Sequence, residues 1–188
     1  MELIDIRDDK GQVTGRMKER EEIHRDGDLH ATSHVWIVRK KRGACQVLLQ
    51  KRSPNKDAYP GCYDISSAGH IPAGDDYLSS ALREMKEELG LEAAAGDLIP
   101  IGQVSYHFIR EFHGKIFNNN EISRVYICLK PIEISDLTLQ EEEVAEVRWM
   151  DLDECMERVR SGDEAFCVMI EELQMIEDYL KKGRGESR

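Results

Sequence analysis

The sequence predicts a mixed α/β fold in one domain that opens on a β-hairpin. Three observations predict it. The chain has 188 residues, a length that suits one domain with a sizeable core. Segments rich in β-formers are interleaved with stretches of helical period, the pattern of the α/β and α+β classes. Two short strand-like segments flank a turn at the N-terminus. The expected division is a hairpin extension over residues 1–28, a core over 29–160, and a C-terminal helix with its tail over 161–188.

Each element has its own signal. Leu3 to Arg7 and Gln12 to Met17 flank Asp8-Asp9-Lys10-Gly11 and read as strand, turn and strand. Lys18 to Arg25 is charged and is expected on the surface. His34-Val35-Trp36-Ile37-Val38 and Gln46-Val47-Leu48-Leu49-Gln50 bracket a basic turn containing Gly43 and are expected to form a hairpin in the core sheet. Ser53 to Gly61 contains Pro54 and Pro60 and reads as a loop. Asp75 to Leu89 is the clearest helix, with Asp75 or Asp76 as its N-cap and Gly90 at its C-terminal turn. Further strands are expected at Val104 to Ile109, Arg124 to Leu129 and Glu146 to Met150. Asp151 to Arg160 reads as a short helix. Glu164 to Lys182 reads as a long one, with Phe166, Met169, Ile170, Leu173, Ile176 and Leu180 at helical spacing. The tail from Gly183 to Arg188 is expected to fray.

Composition narrows the function. Hydrophobic residues make up 40% and charged residues 34%, as in soluble globular proteins. No run of about 18 apolar residues exists to span a membrane. Met1 to Asp5 lacks the basic and apolar regions of a signal peptide, so the expected compartment is the cytoplasm. Five cysteines, with no C-x-x-C pair, argue against a disulfide framework or a structural zinc site, and most are expected to be buried. The net charge of −11 and pI of about 5.1 make the chain a poor candidate for gripping a nucleic-acid backbone, which needs a basic stripe. An anionic small molecule stays admissible where metal ions neutralise the charge locally.

The chemistry concentrates in Ala81-Leu82-Arg83-Glu84-Met85-Lys86-Glu87-Glu88-Leu89-Gly90. At about 100° per residue, Leu78, Ala81, Leu82, Met85 and Leu89 form a buried stripe, and Glu84, Glu87 and Glu88 cluster on another side. A solvated acidic face is the ordinary reading of such a cluster. Two penalties count against it. Glu84 and Glu88 repel at i,i+4, and all three carboxylates lie in the half of the helix whose dipole disfavours anions. A bound cation reverses both penalties. Carboxylate oxygens of this kind suit Mg²⁺ or Mn²⁺.

The segment around this helix resembles the signature of the Nudix hydrolase family, G-x5-E-x7-R-E-U-x-E-E-x-G-U, where U is a bulky aliphatic residue. Gly69, Arg83, Glu84, Met85, Glu87, Glu88, Gly90 and Leu91 match it, and Asp75 stands where the family has Glu. The resemblance implies a Nudix-type α/β/α sandwich with a mixed β-sheet. It implies Glu84, Glu87, Glu88 and Gly69 at a metal, Arg83 orienting the glutamates, and catalytic roles centred on Glu87 and Arg83. It also implies hydrolysis of a diphosphate linkage in a nucleoside diphosphate derivative. The proton acceptor is left open among Glu121, Glu142, Glu143 and a glutamate of the helix, with Glu121 and Glu143 foremost.

The N-terminal half resembles one branch of that fold, the type I isopentenyl diphosphate isomerases. Leu29-His30-Ala31, Gln50-Lys51-Arg52-Ser53 and Tyr59-Pro60-Gly61-Cys62-Tyr63 carry the likeness. It implies a second metal site at His24, His30 and His70, and it matches Glu121 to a catalytic glutamate. Two departures oppose isomerase chemistry. Ala68 replaces the cysteine that acts as proton donor or acceptor, and Asn119 replaces a metal-binding glutamate. The reading is therefore a hydrolase, with an isomerase-like enzyme and a non-catalytic nucleotide-binding domain as alternatives. The expected partner is a small diphosphate substrate, with no nucleic acid and no membrane, in a monomer or homodimer. Tyr59, Tyr63, Tyr106, Phe108 and Phe112 are able to stack on a base, but read equally well as core.

Overall fold

The computed structural model describes residues 2–185. β1 (Leu3–Arg7) and β2 (Val13–Glu19) pair antiparallel as the expected N-terminal hairpin. The other strands form one mixed sheet. β3 (His30–Lys41) lies at its centre. Its C-terminal end pairs antiparallel with β4 (Ala44–Arg52), and its N-terminal half lies between β6 (Ser67–His70) and β8 (Lys115–Cys128). The β3–β8 pairing is parallel, whereas β7 (Leu98–Phe112) joins β8 antiparallel. β5 (Tyr63–Asp64) and β9 (Val144–Asp151) both pair with β4.

Helices cover both faces of this sheet, which is why β3 reads as an unbroken apolar run. Alternation along the strand divides its side chains between two cores. Val35 and Ile37 pack with Ala81, Met85 and Leu89 of α2 (Tyr77–Leu89). Trp36 and Val38 pack with Leu152, Cys155 and Met156 of α3 (Leu152–Arg160), and with Leu173 and Ile176 of α4 (Ile170–Gly185). Met85, Leu89, Leu173 and Ile176 are fully buried, each side chain contributing about 1.5–3 kcal/mol of transfer free energy. The result is the expected α/β/α sandwich.

Local expectations fail where long-range pairing overrides them. The charged stretch Lys18 to Arg25 is not simply surface. It ends β2 and forms α1 (Arg20–Asp26), with Ile23 and His24 buried. The strands expected at Val104 to Ile109 and Arg124 to Leu129 extend into a hairpin closed at His113-Gly114. Both turn residues have positive φ, 50° and 74°, as a two-residue hairpin turn of the right twist requires. Asn118-Asn119-Asn120 hides this strand from propensity rules, and the cross-strand ladder supplies it instead.

The helix expected from Glu164 starts at Ile170. Tyr63 N donates to Ala165 O and Cys167 N donates to Tyr63 O, so residues 165–167 lie along β5 and not in a helix. Helix α4 continues to Gly185 through the first part of the expected frayed tail, and residues 186–188 lie outside the described residues. Cys128 and Cys155 are buried as expected, but Cys45, Cys62 and Cys167 are only partly so. No helix is long and apolar enough to cross a membrane among the described residues.

Candidate active site

Helix α2 is fixed at both ends. The Asp76 carboxylate accepts from Leu78 N at 2.8 Å and Ser79 N at 3.0 Å, so Asp76 is the cap and the exposed Asp75 is not. At the other end Gly90 takes φ of 65°, and its N–H reaches Lys86 O. The loop before the helix is braced by the hairpin, with Ala73 N on Leu3 O and Gly74 N on Asp5 Oδ2.

With the apolar stripe held against the sheet, the three glutamates face a cavity of about 590 Å³. Their environments differ. Glu88 is 6% exposed, and its Oε2 accepts from Ala68 N at 3.3 Å and Gln50 Nε2 at 3.4 Å. Glu84 lies against Gly69, where an added Cβ would fall on its carboxylate. Glu87 stays half-exposed. Arg83 straddles the cluster, its guanidinium 2.8 Å from Glu84 and 2.9 Å from Glu87. Burial pushes the Glu88 carboxyl up to about 8, with Glu84 adding to it. Burial pushes Glu84 up to about 7, with Arg83 opposing and Glu87 adding. Two carboxylates held this far from their ordinary range call for a positive charge. Hard oxygen donors around a glycine that leaves room for one of them fit a divalent cation.

The histidines expected together do meet. The ligand nitrogens of His24 (α1), His30 (β3) and His70 (β6) all lie within 4.8 Å of one another. The Nδ1–H of His30 donates to Asp28 O at 3.0 Å. That leaves His30 Nε2 as a bare lone pair, buried and without a hydrogen-bond partner among the described residues. Burial lowers all three imidazoles, with His24 falling to about 3, so neutral rings face one another. Neutral nitrogens at this spacing form a donor set suited to a metal.

Glu121 (β8) is buried in the floor of the same cavity. It accepts from Asn119 Nδ2 at 2.9 Å and from Ser123 Oγ at 3.4 Å, and it stands opposite Tyr106 in the β7–β8 register. Glu143, in the turn before β9, forms an ion pair with Lys56 at the cavity wall. Glu142 is exposed and does not line the cavity. The loop holding Glu143 is fastened to the end of α2 by Thr138 N on Leu89 O and Gln140 N on Glu88 O.

One cavity thus gathers Gly69, Arg83, Glu84, Glu87, Glu88, Glu121, Glu143, His24 and His70, with His30 behind them. Tyr59, Tyr106 and Phe108 also line it, whereas Tyr63 and Phe112 do not. Sequence reasoning missed His34 and Glu172, which line the floor. His34 lies in an apolar run and Glu172 on a distant amphipathic helix, so no local spacing joins them.

The NUDIX domain family model matches residues 28–167. An uncharacterised Nudix hydrolase of Clostridium acetobutylicum is 38% identical over 153 residues, covering 81% of this chain and 71% of that protein. Nudix hydrolase 3 of Arabidopsis thaliana is 42% identical over 170 residues, 88% of this chain but only 21% of the plant protein. This chain therefore spans about a fifth of that longer relative. Among solved structures, DR0079 from Deinococcus radiodurans shares the fold with a TM-score of 0.68 at 18% identity, covering 92% of this chain and 98% of that one.

Proposed function

Because the chain belongs to the Nudix family, we propose that it is a hydrolase that depends on Mg²⁺ (or Mn²⁺) and cleaves a diphosphate linkage in a nucleoside diphosphate derivative. The observation that carries this reading is the convergence of Glu84, Glu87, Glu88 and Gly69 in one cavity, with Arg83 bridging two of the carboxylates. Glu84, Glu87, Glu88 and the Gly69 carbonyl would hold the cation. When bound, it supplies charge neutralisation at the phosphoryl oxygens and acidifies water.

The chain's own groups do the rest. Arg83 orients Glu84 and Glu87. Glu121 in the floor, or Glu143 at the wall, accepts the proton of the attacking water as the new P–O bond forms and the bridging P–O bond breaks. The products are a nucleoside monophosphate and a second phosphorylated product. The partner is a small molecule, met by a monomer or homodimer in the cytoplasm. A binding-only role suits the site less well, since all three helix glutamates are present and converge.

The test is product release from a panel with Mg²⁺, with and without chelator. The panel comprises nucleoside triphosphates, nucleoside diphosphate sugars, ADP-ribose, dinucleoside polyphosphates, coenzyme A and isopentenyl diphosphate. Glu87→Gln should lower kcat about 10²-fold or more with the fold intact. Near-normal turnover would sink the assignment. Isomerisation of isopentenyl diphosphate without hydrolysis would favour the isomerase-like alternative despite Ala68.

A second reading concerns metal content. The bare, buried Nε2 of His30 beside His24 and His70 favours a further metal site. Elemental analysis of the purified protein should find tightly held metal that His70→Ala releases, and equal content in both proteins would remove this site.

A further inference from the structure

A polar network in the cavity floor leads from α4 to Glu121, and its members other than Glu121 are unused by the roles above. The Nδ1 of His34 lies 2.8 Å from Glu172 Oε1 on α4, and Trp36 Nε1 donates to the other oxygen of Glu172 at 2.7 Å. His34 and Trp36 are two apart on β3, so both point to this one carboxylate. Glu172 is 1% exposed and His34 6%. The other ring nitrogen of His34 lies 3.3 Å from Thr32 Oγ1. Thr32 Oγ1 is 2.6 Å from Ser123 Oγ, and Ser123 Oγ donates to Glu121 Oε1 at 3.4 Å.

Donor arithmetic gives this chain one direction. A hydroxyl has one proton to give. Ser123 gives its proton to Glu121, so it must accept from Thr32. Thr32 then accepts from His34 Nε2–H. At the other end Glu172, as a carboxylate, accepts from His34 Nδ1–H. Both ring nitrogens therefore carry protons. The charges agree with this, because the ring stands between two carboxylates, with its Nε2 3.7 Å from Glu121. Burial alone lowers a histidine, yet Glu172 first and Glu121 after it bring His34 up to about 9.

We infer that Glu172 and His34 are positioning residues: Glu172 holds His34 doubly protonated, and a one-way chain of hydrogen bonds through Thr32 and Ser123 then orients the Glu121 carboxylate toward the substrate. The inference rests on the reading of Glu121 as a group that acts in the cavity. It makes the C-terminal helix part of the catalytic unit, although α4 contributes none of the site residues expected from the sequence.

The test breaks the chain without touching the metal-binding carboxylates. Thr32→Val should lower kcat about tenfold, the worth of one charge-assisted hydrogen bond, with KM unchanged. In a Glu121→Gln background the same substitution should cost nothing more, since its effect passes through Glu121. Unchanged kcat in Thr32→Val, or losses that multiply in the double variant, would overturn the proposal. Nitrogen-15 NMR of the histidine rings needs no substrate. It should show His34 with both nitrogens protonated at neutral pH, and a change of that signature in Glu172→Gln. A singly protonated His34 overturns the proposal even in an active enzyme. A wild-type protein silent on every substrate overturns instead the hydrolase reading, and with it the role of Glu121, while the ring signature still reports on the pair.

Discussion

The three glutamates of α2 share one residue type and differ in what their replacement reports. Glu87 is half-exposed, so its substitution probes chemistry with stability held within about 0.5 kcal/mol. Glu84 and Glu88 are buried deeply enough that their substitution mixes folding with function. Gly69 reports on the same centre from the backbone side. Its φ is not in the left-handed region, so the need for glycine comes from space alone. Gly69→Ala should displace the Glu84 carboxylate and weaken the response to Mg²⁺ while the circular dichroism spectrum stays the same. A wild-type metal titration would remove Gly69 from the site. Both positions were legible in the sequence, because the spacing from Gly69 to Leu91 is local. Asp75, in contrast, stands where the family has a glutamate, yet it is exposed and forms no ion pair among the described residues.

At the scale of elements, α2 was readable because each of its signals is short-range: a cap, a stripe at helical spacing, and a glycine exit. The structure decides between the two candidate caps. Asp76→Ala should therefore cost about 1 kcal/mol in denaturant unfolding. Asp75→Ala should stay within about 0.5 kcal/mol. Equal losses would contradict the cap geometry. Gly90→Ala should also destabilise, because φ of 65° strains an L side chain and the added Cβ would lie 2.8 Å from Thr138 Cβ. The same contact ties α2 to the loop of Glu143, so this variant should disturb activity as well as stability. Helix α1 was not readable, and of the β7–β8 hairpin only the segments Val104 to Ile109 and Arg124 to Leu129 were. Lys18 to Arg25 is too charged to betray Ile23 and His24 as buried, and three consecutive asparagines conceal a strand whose partner supplies its order.

Over the whole molecule, the buried charges set a window of pH and metal dependence. Glu84 and Glu88 rise from an ordinary 4.5 to about 7 and about 8. In the metal-free protein the stability tied to their protonated forms is full below 4.5 and is lost as pH rises through those values. His34, raised from 6.5 to about 9, acts in the same direction and loses its contribution above neutrality. His24, lowered from 6.5 to about 3, sets the acid limb, since its stability is present above 6.5 and is lost as pH falls toward 3. Thermal unfolding in chelator should therefore weaken from about pH 6.5 toward pH 9. Saturating Mg²⁺ should raise Tm by an amount that grows over the same range, because a cation binds the ionised carboxylates. A Mg²⁺ effect independent of pH would place the cation elsewhere. The sequence by itself determined the carboxylate helix and a mixed α/β class, because those follow from periodicity and capping within single segments, and the likeness of Gly69 to Leu91 to the Nudix signature implied the family, the sandwich and the glycine opposite the helix. Only the tertiary structure decided how the cavity is completed. It placed His24, His30, His70 and Glu121, which the isomerase likeness had only implied, around one cavity, and it joined Glu172 to His34, which no reading of the sequence had paired. Those groups meet through the parallel pairing of β3 with β8 and the packing of a distant helix, and burial at such meetings is fixed by the whole chain at once.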